Sequence, residues 1–342
     1  MRRLLPIEAV PGDDFITALR RAWDDGDAVL PVDPRLPAAA RRALLDATHP
    51  DEPVEDGDAL VVATSGTTGE PKGVILTHDA IRASARATSE RLGVDPSADR
   101  WLSALPLAHV GGLSVLTRAI VTGTPFTFDP DAPATLVSLV ATQLRRMDVT
   151  RFRVAVLGGG APPADRPANC VTTYGMTETG SGIVYDRRPL AGVELRSVDG
   201  EVHVRGPMLL RAYRDGTDPK DPDGWLPTGD GGSIAADGSL HVDGRIGDVI
   251  VTGGEKVWPD AVERVLRSVR GIAEVAVAGR PDPEWGARVV AWVVADGLAP
   301  SLEELRDAVK AELPAYAAPK ELVVLDSLPR TALGKVRRAE LR

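Results

Sequence analysis

Read for its apolar and polar positions, the chain begins with a predicted helix over Asp14–Trp23, a strand in the apolar run AVLPVDP, and a second helix over Pro37–Ala47. From Ala59 the pattern alternates. Ala59–Ala63 is an unbroken apolar run of strand length, and Ile81–Leu92 follows as a helix that Thr77 or Asp79 is placed to cap. Trp101–Leu105, Pro125–Phe128 and Val154–Leu157 read as strands, with helices over Leu113–Val121 and Ala134–Arg145 between them. Strands separated by helices predict a parallel or mixed sheet covered by helices.

Beyond Gly192 the period becomes two. Alternating runs flank Asp199-Gly200, and a second pair flanks Asp237-Gly238, both hairpin signals. The glycine-rich stretch VDGRIGDVIVTGGEKV has few bulky side chains and places a hinge near Arg245–Asp248. After it come a helix over Ala261–Ser268, strands over Glu274–Ala278 and Arg288–Val294, a helix over Leu302–Glu312 and a strand over Leu322–Leu325. The expected fold is a large α/β N-terminal domain, residues 1–246, with mixed sheets covered by helices plus a β-hairpin region. A hinge joins it to a small α+β C-terminal domain, residues 247–342.

At 342 residues there is chain enough for two cores. The net charge of -9 argues against nucleic-acid binding, because an acidic surface is repelled by a phosphate backbone; a local basic pocket for a nucleotide is still allowed. The single cysteine, Cys170, permits no intramolecular disulfide, fits a reducing cytoplasm, and reads as a small buried hydrophobe without a chemical role. The five histidines lack metal-ligand spacing. The first residues, MRRLLPIEAVPGDDF, do not have the apolar run of a signal peptide, and no stretch of about 18 apolar residues predicts a membrane span.

The strongest chemical signal is Thr64-Ser65-Gly66-Thr67-Thr68-Gly69-Glu70-Pro71-Lys72-Gly73, directly after a strand. Its glycines let the backbone approach an anion, its hydroxyls and backbone N–H groups can donate to phosphate oxygens, and Lys72 adds positive charge. The spacing departs from the P-loop pattern, since Gly73 follows Lys72 where a magnesium-binding hydroxyl belongs.

This loop resembles the phosphate loop of the adenylate-forming superfamily of acyl-CoA synthetases, adenylation domains and luciferases. Further segments resemble that family's motifs in the family's order: Leu157–Pro162, with Gly158, Gly159 and Gly160, its adenine-binding turn; Thr173-Tyr174-Gly175-Met176-Thr177-Glu178 its nucleotide and magnesium motif; Trp225–Asp230 its ribose-binding segment; Gly244–Asp248 its hinge; Gly253–Pro259 the glycine loop that follows; and Pro329–Arg338 the segment of its catalytic lysine, here Lys335.

The resemblance implies ATP and Mg2+ as cofactors, with coenzyme A as co-substrate and a carboxylic acid as the group to be activated. It implies that Thr64–Lys72 hold the β and γ phosphates and that Glu178 is a magnesium ligand while Thr177 donates to phosphate. Tyr174 and the backbone around Gly159 would sandwich adenine, Asp230 would bind the ribose beside Arg245, and Lys335 would bridge the acid and the α-phosphate. Asp248 would be the hinge, and Gly253-Gly254 would border the channel for CoA.

Within Trp101–Gly123, His109 resembles the family histidine that faces the acyl pocket, walled here by Leu105, Val110 and Leu113. Arg118 is the only charge in the helix that follows. A solvent-facing arginine is the plain reading; a partner for a second carboxylate on the substrate is the functional one.

Family members carry a much longer stretch before the phosphate loop, which begins here at Thr64, although Gly26–Pro37 still resembles the family's Pro-x-Asp-Pro motif. This short form resembles compact o-succinylbenzoate–CoA ligases of menaquinone biosynthesis, whose substrate has the aromatic ring and second carboxylate that Arg118 would suit. The shortening leaves open how the large domain covers its sheet, and a homodimer is one compensation. Two alternatives stand beside this ligase: an aryl- or fatty-acid–CoA ligase or an adenylating enzyme that loads a carrier protein, and a non-catalytic nucleotide- or acyl-binding remnant.

Overall fold

The structure is a computed structural model and describes residues 1–342 other than 66–70, 145, 161, 164, 331–335 and 342, with Ser65 described by its backbone alone. Strands β1 (Leu4–Glu8), β2 (Ala28–Val32), β3 (Asp58–Ser65) and β4 (Pro71–Thr77) form a sheet in that order, parallel except for the antiparallel β3–β4 pair. Every residue of β2 is buried, so both faces of the sheet need cover. The helices α1 (Asp13–Asp24) and α2 (Ala38–Thr48) supply it. Phe15, Leu19 and Ala22 of α1 are buried, with contacts to β1 and β2, and Leu44 of α2 clusters with Leu30, Val32, Val61 and Ile75. Helices α1 and α2 thus pack over this sheet from within the chain.

Helix α3 (His78–Leu92) is capped by Thr77, whose Oγ1 accepts the Ala80 N–H at 3.1 Å, and it stops at Gly93 in the left-handed conformation. Next come β5 (Trp101–Leu102), α4 (Val110–Thr122), β6 (Phe126–Thr127), β7 (Leu136–Val140), α5 (Ala141–Leu144), β8 (Val154–Gly158), β9 (Cys170–Gly175), β10 (Gly182–Tyr185) and β11 (Arg188–Pro189). The strands form one mixed sheet, ordered β11-β10-β9-β8-β7-β5-β6, parallel from β6 to β9 and antiparallel from β9 to β11.

One expectation fails here. Ala134–Arg145 is not a helix: its apolar core LVSLV is the strand β7, buried at every position but the last between β5 and β8, and only Ala141–Leu144 turns helical. A short apolar run has no period of its own, and neighbours on both sides decide its form. Cys170 is buried, as expected, beside Val137, Ala155 and Leu157.

Strands β12 (Glu194–Val198) and β13 (Glu201–Arg205) meet at Asp199 and Gly200, whose φ values of 51° and 84° make the two-residue turn that the Asp-Gly pair favours. With β14 (Leu226–Ile234) and β15 (Leu240–Arg245) they form a four-stranded sheet in chain order. The last sheet is ordered β17-β16-β19-β18, with β20 parallel to β19; it comprises β16 (Ile250–Thr252), β17 (Glu255–Val257), β18 (Ile272–Asp282), β19 (Gly286–Ala295) and β20 (Glu321–Leu325). Helices α6 (Pro259–Leu266) and α7 (Leu302–Glu312) pack Val262, Leu266, Leu305 and Val309 against Val277 and Val293. Ser301 and Glu304 cap α7 reciprocally. These mixed sheets and the small α+β unit at the C-terminus are the fold class expected.

By its contacts the chain divides into two compact units: Met1–Leu195, His203–Leu226 and Ile234–Leu240 in one, and Arg196–Val202, Pro227–Ser233 and His241–Arg342 in the other. No helix among the described residues is long and apolar enough to cross a membrane.

Candidate active site

The loop singled out from the sequence joins the antiparallel strands β3 and β4, with Thr64 opposite Lys72 and Ser65 opposite Pro71. Gly66, Thr67, Thr68 and Gly69 lie outside the described residues. Lys72 does not stand alone: its Nζ is 4.9 Å from the centre of the Tyr213 ring. The Tyr213 O–H in turn donates to Glu178 Oε1 at 3.0 Å, so the loop's cation and the expected magnesium ligand meet on one tyrosine. Nothing in the sequence motifs pointed to Tyr213, which lies 35 residues from Glu178.

Two neighbouring parallel strands supply the next group. Leu157 of β8 pairs with Thr172 of β9, so Gly158, Gly159 and Gly160 emerge beside Thr173, Tyr174 and Gly175 at the carboxyl ends of adjacent strands, where open α/β sheets bind ligands. Gly159 has φ +79°, and a Cβ at Gly175 would stand 2.3 Å from the Ser181 carbonyl, so both positions require glycine. Met176 then begins a 3-10 turn over Thr177–Thr179: its N–H donates to Thr179 Oγ1 at 2.9 Å, and the Leu210 N–H donates to the Glu178 carbonyl at 2.7 Å. Glu178 is therefore fixed at its backbone and at its carboxylate by one segment, 210–213.

His109 occupies the N-cap position of α4. Arg118, in the same helix, does not face solvent. It is 3% exposed, and its guanidinium carbon lies 5.1 Å from the Trp101 ring centre. Its Nε and Nη1 are buried without a hydrogen-bond partner among the described residues, as is the indole N–H of Trp101. Burial pushes the Arg118 guanidinium below its ordinary range, and Tyr185 only partly opposes this. A cavity no larger than a water molecule adjoins Arg118, lined by Leu60, Leu76, Ser84, Val110, Leu113 and Gly180 among others. Gly180 ends the turn that carries Glu178, so this cavity and that turn are contiguous.

The second unit holds the remaining groups. Asp230 is 6% exposed, with Arg245 Nε 2.9 Å from its Oδ1; Arg245 Nη1 also donates to the Thr228 carbonyl at 2.8 Å. Asp248 closes a 3-10 turn and accepts from Arg338 Nη1 at 3.1 Å. Arg338, which the sequence did not single out, also reaches Asp260 Oδ1 at 2.7 Å and Glu263 Oε1 at 2.8 Å. Gly253 and Gly254, with φ +59° and +86°, make the two-residue turn between β16 and β17, and a Cβ on Gly253 would meet the Trp285 ring at 2.8 Å. Lys335 lies outside the described residues.

Among the described residues no three His, Cys, Asp or Glu side chains gather into a metal cage. One carboxylate, Glu178, with Oε1 engaged by Tyr213, fits a magnesium ion that takes its other ligands from phosphate and water.

Residues 12–155 match the AMP-binding enzyme family, and residues 261–335 match the AMP-binding enzyme C-terminal domain. The chain is 39% identical to a probable 2-succinylbenzoate–CoA ligase of Mycobacterium tuberculosis, over 96% of this chain and 94% of that one. It superposes on the o-succinylbenzoate CoA synthetase of Bacillus subtilis in complex with the acyl-adenylate intermediate OSB-AMP with a TM-score of 0.88 and 28% identity, covering 100% of this chain and 89% of that one. The same synthetase in complex with ATP and magnesium gives a TM-score of 0.87 at 28% identity, covering 100% and 90%. Its fold, its motifs in order and these likenesses agree: the chain belongs to the AMP-binding enzyme family of adenylate-forming ligases, and within it is similar to the 2-succinylbenzoate–CoA ligases.

Proposed function

We propose that this chain is an AMP-forming acid–CoA ligase that activates 2-succinylbenzoate and transfers it to coenzyme A, as a step toward menaquinone. Arg118 carries the choice of acid. A buried guanidinium with two unpartnered nitrogens is costly unless an anion joins it, and a dicarboxylate has one carboxylate to react and another to pair. The cavity beside Arg118 is lined by side chains of α3 and α4. Val110 and Leu113 line it, and His109 at the start of α4 would face the acyl chain.

In the first step a carboxylate oxygen attacks the α-phosphorus of ATP, the bond from that phosphorus to the β-bridging oxygen breaks, and pyrophosphate leaves. The Thr64–Lys72 loop and Thr177 donate to the phosphates. Tyr174 and the backbone of Gly158–Gly160 flank adenine, with Thr173, Gly175 and Met176 completing that side. Asp230 accepts from the ribose hydroxyls, with Arg245 held beside it. Lys335 bridges the acid and the α-phosphate, where negative charge accumulates. Glu178 would hold magnesium, which would supply positive charge toward the phosphates of ATP. In the second step the CoA thiol, losing its proton, attacks the acyl carbonyl and AMP departs as the thioester forms. Asp248 is the hinge between residues 1–246 and 247–342, and Gly253-Gly254 border the path of the pantetheine arm. The cytoplasm, where ATP and CoA are available, is the proposed location.

Pyrophosphate release with ATP, magnesium and a panel of acids, with and without CoA, tests the reading. The panel holds 2-succinylbenzoate, benzoate, salicylate, a cinnamate and a medium-chain fatty acid. Strong preference for 2-succinylbenzoate, with its CoA ester as product, is the expected result. Preference for a monocarboxylate would remove the assigned acid, and an acyl-adenylate that CoA fails to discharge would point to a carrier protein as acceptor.

A further inference from the structure

Residues 210–214 run beside β4. Arg211 N donates to the Ile75 carbonyl at 2.9 Å, Ile75 N to the Ala212 carbonyl at 3.0 Å, and Arg214 N to the Gly73 carbonyl at 2.7 Å. Their side chains anchor the segment from behind. Arg211 forks onto the buried Asp58 carboxylate at 2.8 and 2.9 Å, and Arg214 donates to the carbonyls of Thr48, His49, Glu52 and Pro53. The Lys220 ammonium holds the carbonyls of Leu210 and Arg211 at 2.8 and 2.9 Å. Between these two anchored arginines stands Tyr213, with its O–H on Glu178 and its ring face beneath the Lys72 ammonium.

We propose that Tyr213 is a positioning residue of the nucleotide site, holding the Glu178 carboxylate and the Lys72 ammonium at a set separation before ATP and magnesium arrive. This rests on the reading of Glu178 as the magnesium-side carboxylate and Lys72 as a phosphate-side cation. The manner of holding is what matters. A cation attracted to a ring face keeps its three N–H donors for phosphate oxygens, and a carboxylate that accepts one phenol hydrogen bond keeps its second oxygen for the metal. A direct Lys72–Glu178 ion pair would spend the two charges on each other.

Calorimetry on the full chain tests this, with ATP plus magnesium and with ATP in EDTA, no acid being present. Tyr213→Phe keeps the ring and removes the O–H. It is expected to raise the magnesium concentration for half-saturation about tenfold, the low end for losing a partner that orients a metal ligand, with metal-free ATP affinity held within about twofold. Tyr213→Leu removes the ring as well and is expected to weaken metal-free ATP binding by about five-fold through Lys72. Glu178→Gln is the control for the underlying reading. If it leaves the magnesium requirement unchanged, the reading of Glu178 fails and the proposal with it. If Glu178→Gln shifts the requirement and Tyr213→Phe does not, the proposal alone is overturned. Equal losses of magnesium-dependent and metal-free binding in Tyr213→Phe, with a lowered melting temperature, would also overturn it, because the tyrosine would then merely support the fold.

Discussion

Arg118 and Arg338 are both drawn out of solvent, and their surroundings treat them in opposite ways. In the second unit, Arg338 faces Asp248, Asp260 and Glu263, and its Nε donates to the Val277 carbonyl at 3.2 Å. Burial works against its charge, but the three carboxylates outweigh it and raise its pKa. Glu263 has the reverse balance: burial, helped by the like charge of Asp260, raises its carboxyl above the ordinary range, and Arg338 and the Val277 N–H only partly oppose this. In the first unit, Arg118 has an indole face and no carboxylate partner among the described residues, and burial lowers its pKa. A cation already satisfied by the protein serves the fold. In the proposed reading a cation left without an anion waits for a ligand, and this difference separates the two roles better than burial alone.

The comparison breaks most readily at Arg338. Arg338→Met leaves the buried Glu263 with Arg267 as its remaining cation and strips Asp248 and Asp260 of theirs, and is expected to cost about 3 kcal/mol of stability, the low end for breaking a buried pair, read from denaturant midpoints. A loss below about 1 kcal/mol would place the cluster with ordinary surface pairs. Arg118→Met is expected to do the opposite to stability, leaving the ligand-free protein as stable as before or more so. Its kcat/KM for 2-succinylbenzoate should fall about 10²–10³-fold, on the order of 3–4 kcal/mol, while a monocarboxylate analogue changes little. Equal losses on both acids would take Arg118 out of the acid's site.

Ligand linkage sharpens the same contrast. 2-Succinylbenzoate at about 100 times its Kd should stabilise the natural protein by about 2.7 kcal/mol and Arg118→Met by much less, measured as the rise in melting temperature. The smallest effect is in pH. In Arg338→Met the folded pKa of Glu263 rises further above its unfolded value, so the folded state binds more protons than the unfolded one across that window. Stability is then highest below the unfolded carboxyl pKa and falls as pH rises toward the folded value, by at most about 1.4 kcal/mol per pH unit. A variant whose deficit is the same at acid and neutral pH would show that Glu263 is not the group that depends on Arg338.

Much of the local structure was legible in the chain. The Asp199-Gly200 turn, the limits of α7 and the capping of α3 depend on residues within a few positions of one another, and spacing encodes such contacts directly. The strand β7 was misread because its apolar run suits either form, and the flanking strands that choose between them lie outside its own residues. The same limit applies to the site. Motif order pointed to Glu178 and Lys72, but the tyrosine that joins them is 35 residues from Glu178, and the arginine that holds Asp248 is 90 residues away from it.

The sequence by itself determined the order of the elements, their turns and caps, the motif set that places the chain among adenylate-forming ligases, and the presence of a lone charge in the apolar helix α4. Only the tertiary structure decided that Arg118 is buried without an anion among the described residues while Arg338 has three, that α1 and α2 pack over the first sheet, and that Tyr213 stands between Lys72 and Glu178. Local periodicity records what a residue's near neighbours require. Burial and charge compensation are set by side chains that meet only after the intervening chain has folded.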